Sequence, residues 1–450
     1  MPNCEQILRK ASALHIDECE AVYVKKKITT VRITDSEIAE IKRNYEQGLG
    51  VRLIHEKKIL SAFSTDVETD LVDKALQTQS FLQSKSFWKS LPRTLQFSKV
   101  EKTYDKKLEE TTGKEAIEIA GMMINSASHE KIKRISGSLN IVSENFKIAN
   151  TNGLNFADKA TYISGTINTD SDHGNTPVSG IGAMSCRTKD SFSPNQIGTE
   201  AKEMCIGSIN PQNCESDTYS IIFEPYAIGE MLAFVFASNF NLKVYSEKRS
   251  CFAEKLGKKV AVEQFSLIDD PHHPDGIGSK PFDDEGIPTK TRDLIKDGVF
   301  SGTYSDSFYA FKEGVESTGN ASRMGTPMGR TADPIPIPAP HNLKIIEGRM
   351  NRDEMIGDTR KGLLVGRLWY TYLVNPERGD FSCTARSGIR IIENGKIVNA
   401  GRAVRIVHSL PTLLQNVSGI GNDSRNVLQW SALPCVAPSV KVDGIRVTPI

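Results

Sequence analysis

Apolar residues near the start of the chain recur at helical spacing. Ile7, Leu8, Ala11 and Leu14 line one face, and Asn3 stands where a cap belongs. Residues 20–24 and 29–34 are rich in strand formers, and residues 37–43 read as a short helix. Gly48 and Gly50 lead into the apolar run 51–54. The charged turn 55–58 then connects it to 59–63, so this stretch predicts a hairpin. An amphipathic helix is expected over 116–132. Strands at 139–148 and 160–167 follow, joined through Asn152-Gly153, and a helical pattern returns over 196–206. Helix, strands, helix and hairpin in this order predict a mixed α+β unit.

The polar segment 210–217 contains Pro211 and marks a domain boundary, dividing the chain into residues 1–212 and 213–450. The second part reads as many short strands between Gly, Pro and Asp turns, with one early helix over 227–239. That helix carries Met231, Leu232, Phe234, Val235 and Phe236 and is apolar nearly all round, so it is expected to be buried. Its one ionisable residue is Glu230. Prolines at 334, 336, 338 and 340 fix φ and remove donors. They predict an extended surface crossing and exclude a central strand. There is no internal repeat.

Composition narrows the class. With 450 residues, 38% hydrophobic and 25% charged, the chain fits a soluble globular protein of two domains. Lys and Arg total 56 against 55 Asp and Glu, a net charge of +1, so no overall field draws nucleic acid or an anionic membrane. No apolar run approaches the roughly 18 residues of a membrane span. The opening residues 1–10 read as a helix start and not as a signal peptide, which predicts a cytoplasmic protein. Residues 84–107 are basic, with Trp88 and Phe97 among the lysines. Without a motif around them, they read as a solvated connector and not a nucleic-acid strip. Eight dispersed cysteines, none in a CxxC pair, predict reduced thiols.

The search for chemistry yields no catalytic residue and no metal ligand. His55-Glu56 and His129-Glu130 lack a second His at helical spacing. His272 and His273 lie between Pro271 and Pro274, in a tight loop with no ligand spacing. Asp283-Asp284-Glu285-Gly286 is a dense acidic turn, either a cation site or a set of local caps, and the turn is the favoured reading. There is no nucleophile elbow, and Gly180-Ile181-Gly182 is only a fragment of a dinucleotide fingerprint.

The same turn, with its surroundings, resembles the TldD/PmbA family. The matching pieces are Asp269-Asp270-Pro271, Pro281 through Gly286, Asp293 to Gly298, and Ser317-Thr318-Gly319-Asn320. Further on, Lys361 to Val365, Gly379 to Ser382, Ile392 to Lys396 and Gly421 to Asp423 continue in collinear order. Gly50-Val51-Arg52 and Asn152-Gly153 fit in the first half. The resemblance implies a β-rich C-terminal domain of the TldD/PmbA type and a metallopeptidase setting. In TldD-type members an HExxxH helix and a C-terminal Cys hold zinc. Here the matching stretch 224–239 has no His, and Cys435 lies in a different context, as in the TldE/PmbA branch. That implies no cofactor in this chain and zinc in a TldD-type partner. It implies a heterodimer with that subunit, or a homodimer in isolation, acting on unfolded peptide. Asp283, Asp284, Glu285, Gly286, Ser317, Thr318, Gly319 and Asn320 are then a peptide-binding or a structural motif. Two alternatives stay open. One is a self-sufficient hydrolase using Asp269/His272/Asp284, Cys251 or Cys383. The other is a binding protein acting on DNA gyrase or a toxin system, following the family's older label.

Overall fold

The computed structural model describes residues 4–67, 70–428 and 433–450. Asn3, expected to cap the first helix, lies outside them. That helix runs Cys4–Ala13. It leads into a six-stranded antiparallel sheet: β1 Glu18–Thr34, β2 Glu37–His55, β3 Lys58–Ser64, β4 Arg134–Asn150, β5 Asn155–Ser171 and β6 Val178–Cys186. The strand order is β3-β2-β1-β4-β5-β6, which leaves β3 and β6 as edges.

The helix expected over 37–43 is the first half of β2. The reason lies in the turn and in a bulge. Asp35 and Ser36 both adopt left-handed φ, 50° and 67°, the geometry that folds a strand straight back on its predecessor. The register then slips between Arg32 and Ile33, so that Ile38 faces Ile33 and Ile41 faces Val31. One extra residue on β2 puts positions three apart on one face, and that spacing mimics a helix. The other two hairpins match expectation. Glu56 and Lys57, both at positive φ, turn β2 into β3, and Gly153 at φ 92° lies in the turn between β4 and β5.

Helices Gly113–Ala127 and Pro194–Ile206 cover one face of this sheet. Met123, Ala120, Ile197 and Ala201 meet Leu139, Ile163 and Ile167 there. The glycines of the supposed fingerprint fragment serve this contact. A Cβ on Gly180 would lie 2.1 Å from Ala201 O, and one on Gly182 would lie 1.9 Å from Ile197 O. The opposite face, at Val22, Val24, Phe146 and Ile148, packs on Phe282 and Ala332 from the second half of the chain. The basic connector is less solvated than its charge suggests. Trp88 and Leu91 are buried, and both donate to the Glu18 carboxylate, at 3.0 and 2.9 Å.

In the second half, strands Thr218–Phe223, Lys361–Asn375, Asp380–Glu393, Val404–Ser409 and Val440–Pro449 close into a ring. The last link is the pairing of Lys361–Asn375 with Asp380–Glu393. The barrel joins a mostly antiparallel second sheet built of short strands, including Leu267–Asp269, Arg292–Lys296 and Leu343–Ile345. The fold is therefore mixed α+β with a β-rich C-terminal part. The prolines stay out of the central strands as expected, but the crossing lies only partly on the surface, since Pro336 and Pro340 are buried. Ile337–Pro338 is a two-residue strand against Ala321–Ser322, and Ile335 and Ile337 face solvent.

Candidate functional site

The helix that follows strand Thr218–Phe223 starts at Pro225, passes through a π turn at Leu232–Phe236 and ends in a 3₁₀ turn at Ala237–Phe240. Ala227, Met231, Leu232, Val235 and Phe236 are buried in the same core as Leu363, Val365, Phe381 and Ile406 of the barrel strands. Burial follows from the all-round apolar pattern, which gives the helix no wet face. Its one carboxylate, Glu230, is enclosed with it. Thr371 Oγ1 donates to Glu230 Oε1 at 2.7 Å. Burial pushes the Glu230 carboxyl up to about 7, against the opposing pull of Thr371 and Arg367. Burial makes the Cys383 thiol hard to ionise, and the nearby Glu230 charge adds to this. A carboxyl, a protonated thiol and a hydroxyl, with no imidazole on the helix, do not make a zinc donor set. Among the described residues, no group of three or more His, Cys, Asp or Glu side chains comes together in metal-holding geometry.

The acidic turn is fully enclosed. Asp283, Asp284 and Glu285 are each 0% exposed, so they face no solvent from which a peptide would approach. Asp283 Oδ1 accepts from the N–H groups of Glu285 and Ile287, and its Oδ2 accepts from Ala321 N–H at 3.0 Å. Even so, burial and the adjacent Glu285 charge push this carboxyl up to about 8. Burial also opposes ionisation of Asp284 and Glu285. Lys280 and Arg330 outweigh it at Asp284 and Arg52 outweighs it at Glu285, so both stay below the usual range. Arg52 on β2 bridges Glu285, at 2.7 Å, and Glu20 on β1, at 2.8 Å. Arg323 reaches Glu20 at 2.6 Å. Arg330 reaches Glu144 on β4 and Asp158 on β5, both at 2.6 Å. These pairs pin the C-terminal half onto the first sheet. Gly286 needs its positive φ of 87°, with a Cβ there 2.4 Å from Leu154.

The 317–320 motif is bonded within the second half, with Gly319 and Asn320 buried and Ser317 and Thr318 half-buried. Thr318 Oγ1 donates to Asn320 Oδ1 at 2.7 Å and accepts from Ser305 N–H, while Gly319 turns the chain at φ 73°. Ser317 Oγ accepts from Gly319 N–H at 3.3 Å. Asn320 donates to Asp269 Oδ2 at 2.5 Å. The hydrolase group Asp269/His272/Asp284 is not assembled. Asp269 faces His341 Nδ1 at 3.1 Å, His272 faces Thr289 Oγ1 at 3.1 Å, and Asp284 belongs to Lys280 and Arg330. His341 is a residue that sequence reading missed, and only the neighbouring prolines marked its segment. All eight cysteines are free and buried. Burial pushes the Cys251 thiol up to about 12, which is unsuited to a nucleophile.

Beside the helix start, a cleft of about 480 Å³ separates helix Pro194–Ile206 from the barrel. Two ion pairs cross its rim, Arg352 with Glu224 at 3.0 Å and Arg425 with both oxygens of Glu200 at 2.8 and 2.9 Å. Sequence reading gave no signal for this cleft, because its walls come from seven separate stretches of chain.

A barrel that swallows the helix after its first strand, joined through buried ion pairs to a six-stranded sheet, is an architecture shared with known proteins. Residues 216–449 match the family model for the PmbA/TldA metallopeptidase C-terminal domain, and residues 19–78 match PmbA/TldA metallopeptidase domain 1. The chain belongs to the PmbA/TldD metallopeptidase family. It is 23% identical over 442 residues to metalloprotease PmbA of Escherichia coli O157:H7, covering 95% of this chain and 92% of that one. It is 25% identical over 415 residues to the metalloprotease TldD homolog of Buchnera aphidicola subsp. Acyrthosiphon pisum, covering 87% and 82%. Among solved structures, TldE from Thermococcus kodakarensis superposes with a TM-score of 0.89 at 22% identity over 99% of both chains. A putative modulator of a DNA gyrase from Thermotoga maritima MSB8 gives 0.87 at 23% identity, also over 99% of both.

Proposed function

We propose that this chain is a TldE/PmbA-type subunit of a TldD/TldE-type zinc metallopeptidase, without a zinc site of its own, supporting a TldD-type partner that processes unfolded peptides. The observation that carries this reading is the helix starting at Pro225. By the family resemblance it takes the place of the zinc helix of the TldD branch, yet it has no His, and its carboxylate is held inside the barrel by Thr371. Overall identity does not separate the branches, since PmbA and TldD relatives match at 23% and 25%.

Two surfaces support a subunit role. The barrel exposes Tyr370, Tyr372 and Val374 on one strand and Val407 on another, at 67%, 48%, 58% and 60%. Aromatic groups left in water on a rigid sheet suit a protein partner. The free edge of β6 suits an extended peptide, which would add as a further strand and be recognised by its backbone. The buried motif 283–286 then acts structurally, by holding the two halves in register, and 317–320 braces the second half around Ser305 and Asp269.

The test is peptidase activity on an unstructured peptide, with bound zinc quantified on the same sample. The chain is assayed alone and mixed with a TldD-type subunit from the same organism. Activity and zinc in the mixture only are expected. Activity from this chain alone would sink the reading.

A further inference from the structure

The cleft between helix Pro194–Ile206, β6 and the barrel has two unmet binding groups in its wall. The first is Arg390. Its Nη1 donates to Ser208 Oγ at 3.2 Å and to Ile389 O at 3.3 Å, and its Nη2 donates to Met204 O at 3.2 Å. All three acceptors are neutral. Among the described residues Arg390 forms no ion pair, whereas Arg352 and Arg425 in the same wall are each satisfied by a carboxylate. Glu224, the carboxylate whose charge reaches Arg390, is hydrogen-bonded to Arg352 instead. A partly desolvated guanidinium with no carboxylate in direct contact is a costly arrangement, and a carboxylate is the group its planar fork fits.

The second is the outer edge of β6. The N–H of Ile181 turns away from β5 to Met204 Sδ, at 3.4 Å. In an antiparallel ladder, peptide groups two residues apart point the same way. Ala183, two residues on and also in the cleft wall, therefore points outward too. Its N–H and C=O have no hydrogen-bond partner among the described residues. A backbone edge and an unpaired arginine in one cleft of about 480 Å³ are the two contacts that the end of an extended chain requires.

We infer that this cleft takes the free C-terminal end of an extended peptide, with its α-carboxylate on Arg390 and its last peptide groups paired with Ala183. The inference rests on the proposed function for one point, that the ligand is a peptide. The wall as a whole carries four carboxylates, Glu200, Glu203, Glu224 and Asp423, against three guanidiniums. That balance disfavours a dianion such as phosphate and tolerates a peptide end with a single carboxylate.

Calorimetry on the isolated full chain tests this with three probes: tetra-alanine, tetra-alanine amide and inorganic phosphate. Tetra-alanine is expected to bind. The amide is expected to bind at least about tenfold more weakly, as loss of a charge-assisted pair implies, and phosphate is expected not to compete. Ala183→Pro removes an N–H that is not part of the ladder with β5, so it should weaken tetra-alanine while leaving the thermal transition in place. Arg390→Lys keeps the charge but not the fork, and should erase most of the preference for the free acid. Because Arg390 also holds the end of the helix, Ala183→Pro keeps the test decisive if that variant is unstable. Equal binding of acid and amide, competition by phosphate, or no binding of tetra-alanine at millimolar concentration overturns the inference. The measurement involves no partner and no turnover. Peptidase activity of this chain alone would therefore overturn the subunit reading and leave this result standing, and a lost preference for the acid would do the reverse.

Discussion

Arg52 and Glu285, 233 positions apart in the chain, share a 2.7 Å hydrogen bond at a point that water does not reach. Arg52 comes from β2, and Glu285 comes from the turn that meets the opposite face of the sheet. The same guanidinium also holds Glu20. Two carboxylates therefore share this cation, and removing it leaves Glu285 buried without a counter-charge and Glu20 with Arg323 alone. Arg52→Met should destabilise the protein by about 3–5 kcal/mol, read as a lower urea midpoint. Adding Glu285→Gln to that variant should recover part of the loss, because one stranded charge is gone. An additive double mutant would show that the pair is not coupled.

Glu230 makes stability depend on pH in a defined direction. Its carboxyl is raised by burial from 4.5 to about 7 in the fold, so the folded state favours the neutral form. The contribution of this group is fully present below the unfolded value. It is lost progressively as pH rises through the folded value. Glu230→Gln fixes the neutral form. The difference between variant and parent should be flat below about pH 4.5, grow between about 4.5 and 7, and level off above, reaching on the order of 2–3 kcal/mol in favour of the variant. Denaturant titrations at a series of pH values check this, and a difference independent of pH contradicts it.

Gly182→Ala should be costly even though Ala is a better general residue than Gly. The new Cβ would meet Ile197 O at 1.9 Å, and the obstacle is backbone, which cannot swing aside. Helix Pro194–Ile206 must lift from the sheet, at a cost of about 1–3 kcal/mol in thermal or chemical unfolding. Gly153→Ala meets nothing within 4 Å and serves as the comparison, where only the positive φ of 92° is strained.

Tyr370 and Tyr372 stand out from the barrel, and Tyr370 does so at a left-handed φ of 51°. Tyr370→Asn accepts that backbone, and Tyr372→Ser removes the second ring. Neither substitution should lower the thermal transition of the isolated chain by more than about 0.5 kcal/mol equivalent. If this face carries the partner, the pair of substitutions should weaken association with a TldD-type subunit at least tenfold, measured by calorimetry or analytical ultracentrifugation. Unchanged association would move the interface elsewhere on the molecule.

Local chemistry made much of this molecule legible before folding. The turn at Asn152-Gly153, the helix around Met123, the strap of prolines and the apolar helix near Met231 all follow from periodicity and backbone restriction, which act over a few residues. The absence of His on that helix is likewise a property of the string, and the proposed role rests on it. Other features had no local trace. A bulge beside Arg32 placed Ile38 and Ile41 on one face and gave a strand the spacing of a helix. The acidic run 283–286 reads as a wet turn, because the cations that let it go dry come from Arg52, 233 positions before Glu285, and from Arg330. Asp269 found His341 and not the nearer His272, and the cleft around Arg390 was assembled from distant segments. Burial of charge and closure of a pocket depend on which surfaces meet, and only the tertiary packing of the two halves settles that.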